Sequence, residues 1–241
     1  MIKDLIRQAL HRLGYVVQRV GGPLERCTME GAFRALARRG HAFRTVVDIG
    51  ASNGQWSASL MRHFPDRQYL LIEAQPVHDA ALREFCARHA NARYVLCAAG
   101  EREGRIHFDA SAPLGGQASN TPFAANDIEV PVVTLDAALA ASGLPGPYLL
   151  KFDTHGYEAP ILSGAARTLA DTDVIIMECY NFRIAPECLT FDEMCRRLGE
   201  LGFRCIDLVG PLHRPRDDAF WQMDLVFVRA DRPEFAYKGY R

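Results

Sequence analysis

The sequence contains no apolar run approaching the ~18 residues that a membrane-spanning helix requires. Its first residues, Met1-Ile2-Lys3-Asp4, carry charge where a secretory signal needs a hydrophobic core. A cytoplasmic protein is expected. There is almost no net charge: 28 Lys and Arg against 29 Asp and Glu leave −1. That excludes a global field for gripping nucleic acid or an acidic polymer, so no nucleic-acid partner is expected. The seven cysteines (Cys27, Cys86, Cys97, Cys179, Cys188, Cys195 and Cys205) include no CxxC pair, are odd in number and sit mostly in apolar runs. They read as reduced core thiols, not as a zinc site or a disulfide frame. No internal repeat or interdomain linker is visible. What is present is an average globular composition, 49% hydrophobic and 24% charged over 241 residues, sufficient for one full-sized domain with a buried core.

The charge is unevenly spread. Up to Arg44 there are nine Lys or Arg and three acids, a charge of +6 that leaves −7 for the remainder. In this basic stretch Ile2, Leu5, Ile6, Ala9, Leu10, Leu13, Val16 and Val17 recur at three- and four-residue steps, one apolar stripe of a helix that Gly21-Gly22-Pro23 ends. Most such stripes pack on their own domain or on a homodimer mate. The alternative is peripheral contact with an anionic membrane surface. A second helix over Met29 to Arg39 completes an N-terminal helical extension, residues 1–43, ahead of a main domain over residues 44–241.

From Arg44 onward, short runs rich in Val, Ile and Leu alternate with helix-like stretches, the pattern of a parallel sheet covered on both faces. The strands read as Thr45 to Ile49, Tyr69 to Glu73, Arg93 to Ala99, Tyr148 to Phe152, Val174 to Glu178, Arg204 to Leu208 and Asp224 to Val228. Between the third and fourth, Arg105 to Asp109 and Glu129 to Val133 read as a hairpin around a Gly, Ser, Asn and Pro rich loop, Ser111 to Asn126. Such an insertion is either a substrate-binding wall or a plain surface connection.

The first strand runs into Asp48-Ile49-Gly50-Ala51-Ser52-Asn53-Gly54, a glycine-bearing turn between a buried strand and a helix, where a ligand can approach the backbone. A dinucleotide fold wants GxGxxG; here Ser52 replaces the middle glycine and Asp48 precedes the turn. A carboxylate beside the ligand repels pyrophosphate and favours the cationic groups of S-adenosylmethionine. Glu73, ending the second strand, is placed to accept ribose hydroxyls in either kind of nucleoside site. The fourth strand ends in Lys151-Phe152-Asp153-Thr154-His155-Gly156-Tyr157-Glu158 and the fifth in Glu178, so Asp153, His155 and Glu178 converge on the crevice as a general base with orienting partners or as a divalent metal site.

Four ordered motifs then resemble one family. Asp48 to Gly54, Ile72-Glu73-Ala74-Gln75-Pro76, Val133-Thr134-Leu135-Asp136, and Lys151 to Glu158 with Leu162-Ser163-Gly164-Ala165 are similar to those of FkbM-type methyltransferases. The resemblance runs from about Thr45 to the end, including Asp224 to Arg229. It implies a Rossmann-like α/β methyltransferase fold with a seven-stranded, mostly parallel sheet whose last strand is antiparallel. It also implies O-methylation, from S-adenosylmethionine, of a hydroxyl on a sugar, glycolipid, polysaccharide or natural product. The family usually has Asn where this chain has Ser52, and commonly Glu or Gln where it has His155. A base that varied so freely would be unusual, so Asp153 is the first catalytic candidate and His155 the second.

On this reading Asp48, Gly50, Ala51, Asn53, Gly54, Glu73 and the Ala98-Ala99 edge hold the cofactor, while Asp153, His155 and Glu178 serve catalysis. A metal-assisted version would place Mg²⁺ on the last three, but imidazole is an unusual Mg²⁺ ligand and the metal-free route is preferred. The rival from another class is a cofactor-binding subunit of the same fold without catalysis. Acceptor contacts are sought in Ser111, Gln117, Ser119, Asn120 and Thr121, and in His213, Arg214, Arg216 and Trp221.

Overall fold

A computed structural model describes residues 25–240, together with Ile6, Ala9, Leu10, Arg12 and Leu13. The rest of the N-terminal apolar stripe, and with it the dimer and membrane readings, lies outside the described residues. The first full helix, α1 (Met29–Arg39), starts where the Thr28 hydroxyl accepts from the Gly31 N–H and stops at Gly40 in the left-handed region. Its Phe33 and Leu36 are fully buried against the sheet.

Alternating strands and helices follow: β1 (Thr45–Ile49), α2 (Gln55–Met61), β2 (Gln68–Glu73), α3 (Asp79–Arg88) and β3 (Ala92–Leu96). After an excursion come α4 (Leu135–Ser142), β8 (Tyr148–Phe152), α5 (Glu158–Ser163), α6 (Ala166–Ala170), β9 (Thr172–Tyr180), α7 (Phe191–Glu200), β10 (Phe203–His213) and β11 (Phe220–Arg229). The excursion holds β4 (Ala98–Ala99), β5 (Gly104–Asp109), β6 (Ala118–Ser119) and β7 (Asp127–Val133).

The main sheet has seven strands in the order β10-β11-β9-β8-β1-β2-β3. Every pairing is parallel except those of β11, which runs antiparallel to both neighbours, so the last strand alone is reversed, as the resemblance implies. One face packs Val47, Ile49, Leu150 and Phe152 against α4 to α7; the other packs Val46, Tyr69, Leu71 and Leu149 against α1 to α3. The result is three layers with two apolar cores. The chain moves outward from β1 through β2 to β3, then returns to the other side of β1 with β8. That reversal opens a crevice beyond the carboxyl ends of β1 and β8.

Two expectations are corrected. The run read as one strand from Arg93 to Ala99 is two: β3 ends at Leu96, and β4 pairs parallel with β7 in a second sheet ordered β4-β7-β5-β6. Cys97, buried between them, is the corner at which the apolar run changes sheets. The last three strands are also longer than read, because polar residues such as Thr172, Gln222 and His213 extend the ladders. The Arg105 and Glu129 segments do pair as an antiparallel hairpin.

Candidate active site

A cleft of about 880 Å³ opens at this crevice. Its floor is the turn after β1. Gly50 adopts φ +79°, and a Cβ there would collide with the Asp153 carbonyl oxygen, so only glycine lets the tips of β1 and β8 meet. The Asp153 N–H donates to Ile49 O at 3.0 Å, and Gly50 N–H to Ile72 O at 2.9 Å, tying three strand ends together. Glu73 ends β2 at the cleft wall. One of its oxygens accepts from the Ser52 N–H and the other from the Gln75 N–H, both at 2.7 Å. Each oxygen keeps a second lone pair for a ligand hydroxyl.

The expected cofactor residues separate into two groups. Gly50, Glu73, Ala98 and Ala99 line the cleft, with Ser52 beside them; Asp48, Ala51, Asn53 and Gly54 do not. Asp48 is the instructive correction. Strand alternation puts it on the same face as Val46, beneath α2, where the Ser57 hydroxyl donates to it at 2.6 Å. Burial pushes its carboxyl up to about 6, only partly opposed by Lys151. The carboxyl groups that line the cleft are therefore Glu73, Asp153 and Glu178. Ala51 is buried among the helices of that face, Asn53 accepts from Gln55 N–H at 3.2 Å, and Gly54 starts α2 at φ +82° against Phe85. These three shape the turn.

Asp153, His155 and Glu178 do come together. Lys151, 2% exposed, donates to Asp153 Oδ2 at 2.8 Å, and its ammonium lies 5.5 Å from the Trp56 ring centre. Burial works against that charge, but Asp153, Asp48 and Asp224 outweigh it and raise the Lys151 pKa. Burial likewise disfavours ionised Asp153, yet the adjacent ammonium prevails and holds its carboxyl below the usual range. Glu178 moves the other way, raised first by burial and then by Asp153. Its carboxylate accepts from the Tyr180 hydroxyl and the Gln222 amide. His155 sits at φ +51° with Nδ1 3.2 Å from Gly116 O. A carbonyl only accepts, so Nδ1 carries hydrogen and Nε2 is aimed at Asp153 Oδ1 (3.6 Å) and Glu178 Oε2 (3.9 Å).

The 111–126 loop returns over the cleft. Gln75 Nε2 donates to Ala112 O at 2.9 Å, and His78 Nε2 lies 2.7 Å from Pro113 O. Of the polar loop residues considered for acceptor contact, Gln117 lines the cleft and Ser111, Ser119, Asn120 and Thr121 do not. On the opposite rim Trp221 and Arg214 line it, without His213 and Arg216. Trp221 stacks on Phe182 with centroids 5.3 Å apart, and Arg214 covers Phe182 while paired with Asp217. Sequence reasoning assigned no role to Lys151, Gln75, Tyr180 or Gln222. Lys151 and Gln75 lay inside the quoted motifs; Tyr180 and Gln222 meet only through the pairing of β9 with β11.

A sequence model of the methyltransferase FkbM domain matches residues 48–205, about two thirds of the chain. No curated protein matches. Among solved structures, the chain is similar to methyltransferase FkbM from Methylobacillus flagellatus KT, with 18% identity and a TM-score of 0.51 over 76% of this chain and 43% of that one. The chain thus spans less than half of that relative's length. It is also similar to the fibrillarin pre-rRNA processing protein of Methanococcus jannaschii, with 12% identity and a TM-score of 0.50 over 86% of this chain and 77% of that one. At such identities the two structures establish a shared fold.

Proposed function

The chain belongs to the methyltransferase FkbM family, and we propose that it is an S-adenosylmethionine-dependent O-methyltransferase acting on a hydroxyl of a sugar, glycolipid, polysaccharide or natural product. The observation that carries this reading is one continuous cleft with Glu73 at one end and the Asp153, His155 and Glu178 side chains at the other.

The residues present suit the cofactor. The Gly50 turn leaves backbone open to a ligand, Glu73 retains acceptor capacity for ribose hydroxyls, and Ala98 and Ala99 offer a small, buried edge for a flat base. When bound, S-adenosylmethionine supplies an electrophilic methyl on a cationic sulfur. Glu73 faces such a cation with its carboxylate, and the Asp153 charge is shared with Lys151; Arg183 and Arg214 on the rim are each paired with an acid.

A neutral sugar hydroxyl is a poor nucleophile. Asp153, held ionised by Lys151, is the first candidate to take its proton as the methyl transfers, and His155 Nε2 the second. Such proton transfer is typically worth ~100- to 10,000-fold. Positioning contributes at least as much, about 7–11 kcal/mol for well-aligned groups. The Trp221–Phe182 stack on the rim offers an apolar face to a sugar ring.

The test is calorimetry with S-adenosylhomocysteine, followed by incubation with a labelled methyl donor and panels of glycolipid and polysaccharide extracts. Binding plus a labelled, alkali-stable ether product supports the proposal; binding without transfer to any extract would leave the non-catalytic subunit as the better account.

A further inference from the structure

Among the described residues, Asp153, His155 and Glu178 each offer one ligand atom within 4.8 Å of the other two. We infer that these three side chains bind a divalent first-row transition ion of the Mn²⁺ type, through Asp153 Oδ1, His155 Nε2 and Glu178 Oε2. The inference rests on the reading of this trio as the place where the acceptor hydroxyl is activated, and it names the agent of that activation.

Every candidate ligand is oriented by a group outside the trio. The Gly116 carbonyl takes the His155 Nδ1 hydrogen and leaves Nε2 with its lone pair. Lys151 occupies Asp153 Oδ2 and leaves Oδ1. Gln222 donates to Glu178 Oε1 and Tyr180 to Oε2, so Oε2 keeps one lone pair for the ion. Imidazoles and carboxylates that ligate metals are characteristically fixed by such outer partners. The separations of 3.6 and 3.9 Å from Nε2 to the two carboxylates are too long for hydrogen bonds. Neighbouring ligands around a six-coordinate ion with bonds of about 2.1 Å stand roughly 3 Å apart, so a trio whose ligand atoms lie within 4.8 Å of one another must draw in to close the shell.

The donor set selects the ion. Mg²⁺ favours all-oxygen shells, and an imidazole ligand counts against it. Mn²⁺, Fe²⁺ and Zn²⁺ accept an imidazole beside carboxylates, and that objection falls. The open side of the trio faces the cleft, where the acceptor oxygen can complete the shell. Coordination then lowers the hydroxyl's pKa, its proton passes to water in the cleft, and the O–CH₃ bond forms as the S–CH₃ bond breaks. With the ion bound, Asp153 and His155 are both ligands, and the ion replaces them as the agent that activates the hydroxyl.

The experiment uses the full chain, stripped with chelator and dialysed, titrated with Mn²⁺ while the electron paramagnetic resonance of free Mn²⁺ is followed. One Mn²⁺ is expected to disappear per chain. Glu178→Gln and His155→Ala should each weaken binding at least about tenfold, and the surface change Glu129→Gln should leave it unaltered. Zn²⁺ should displace the bound Mn²⁺, and a roughly tenfold excess of Mg²⁺ should not. Pulsed resonance on the unmutated protein should show one coupled imidazole nitrogen, a readout that does not depend on any variant folding. Absence of that coupling, no depletion of free Mn²⁺ up to about 1 mM, or variants that bind like the parent would overturn the inference. Methyl transfer that proceeds without Mn²⁺ binding defeats only this inference; Mn²⁺ binding without S-adenosylhomocysteine binding defeats the cofactor reading instead.

Discussion

Replacing Asp153 by Asn removes a carboxylate with two jobs that a second substitution can separate. In the folded chain Lys151 is 2% exposed and its nearest anion is Asp153, 2.8 Å away. Deleting one member of a buried pair costs about 3–5 kcal/mol, because the other charge is left uncompensated. The Asp153 side chain is 38% exposed, and Asp48 and Asp224 remain near the ammonium, so the low end, ~3 kcal/mol, applies. For a domain of this size that is about 6–12 °C in Tm. Lys151→Met in the Asp153→Asn background removes the stranded charge, and most of the lost Tm should return, since a neutral pair of similar volume is well tolerated. Turnover should not return. Loss of the proton acceptor alone costs ~100-fold or more. The assays are thermal melts at pH 7 and label transfer from S-adenosylmethionine, with S-adenosylhomocysteine affinity as the check on cleft integrity. If Asp153→Asn melts with the parent, the buried-pair argument is wrong. If the double variant regains turnover along with stability, Asp153 is structural and the proposed chemistry fails.

Asp48 gives a pH signature. Its folded carboxyl is raised to about 6 from an ordinary 3.8, so between these values the folded chain holds a proton that the unfolded chain releases. This stabilisation is complete below pH ~4, declines by about 1.4 kcal/mol per pH unit and is gone above pH ~6. Asp48→Asn should therefore reduce the slope of the Tm profile between pH 4 and 6, to which Asp224, likewise raised to about 6 by burial, also contributes; an unchanged slope in calorimetric melts would contradict the buried placement. Gly50→Ala combines left-handed backbone strain with a collision against the Asp153 carbonyl oxygen, so it should cost at least about 2 kcal/mol and weaken S-adenosylhomocysteine binding. A variant that melts and binds like the parent would show that the β1 and β8 tips tolerate separation. Glu73→Gln should lower S-adenosylhomocysteine affinity roughly ten- to hundredfold, the worth of a hydrogen bond to a charged acceptor, and should also lower Tm, because the new amide NH2 faces one of the two backbone N–H groups that Glu73 accepts; equal affinities by calorimetry would remove Glu73 from the cofactor site.

What could be read from the chain alone divides by distance along it. The glycine turn after Asp48, the acid at Glu73 and the Asp153-Thr154-His155 tip are each complete within a few residues, and a doubly wound sheet carries such tips to one crevice. The side on which Asp48 points was harder. All five residues of β1 are buried, so no alternation of apolar and polar residues marks which face the ligand takes. The same ambiguity hid the corner at Cys97, where one apolar run serves two sheets.

The partners that aim the catalytic groups were out of reach for a different reason. Gly116 O lies 39 residues from His155, and Gln222 lies 44 residues from Glu178. These contacts follow from how the insertion folds back and from the register of β11 on β9, and neither is encoded in a local motif. The His155 ring shows the consequence. As a residue it was open to roles as base, ligand or structural histidine; only the carbonyl held at its Nδ1 fixes which nitrogen faces the carboxylates. Residue type at a strand tip thus limits the chemistry available, and long-range hydrogen bonds select among the roles that remain.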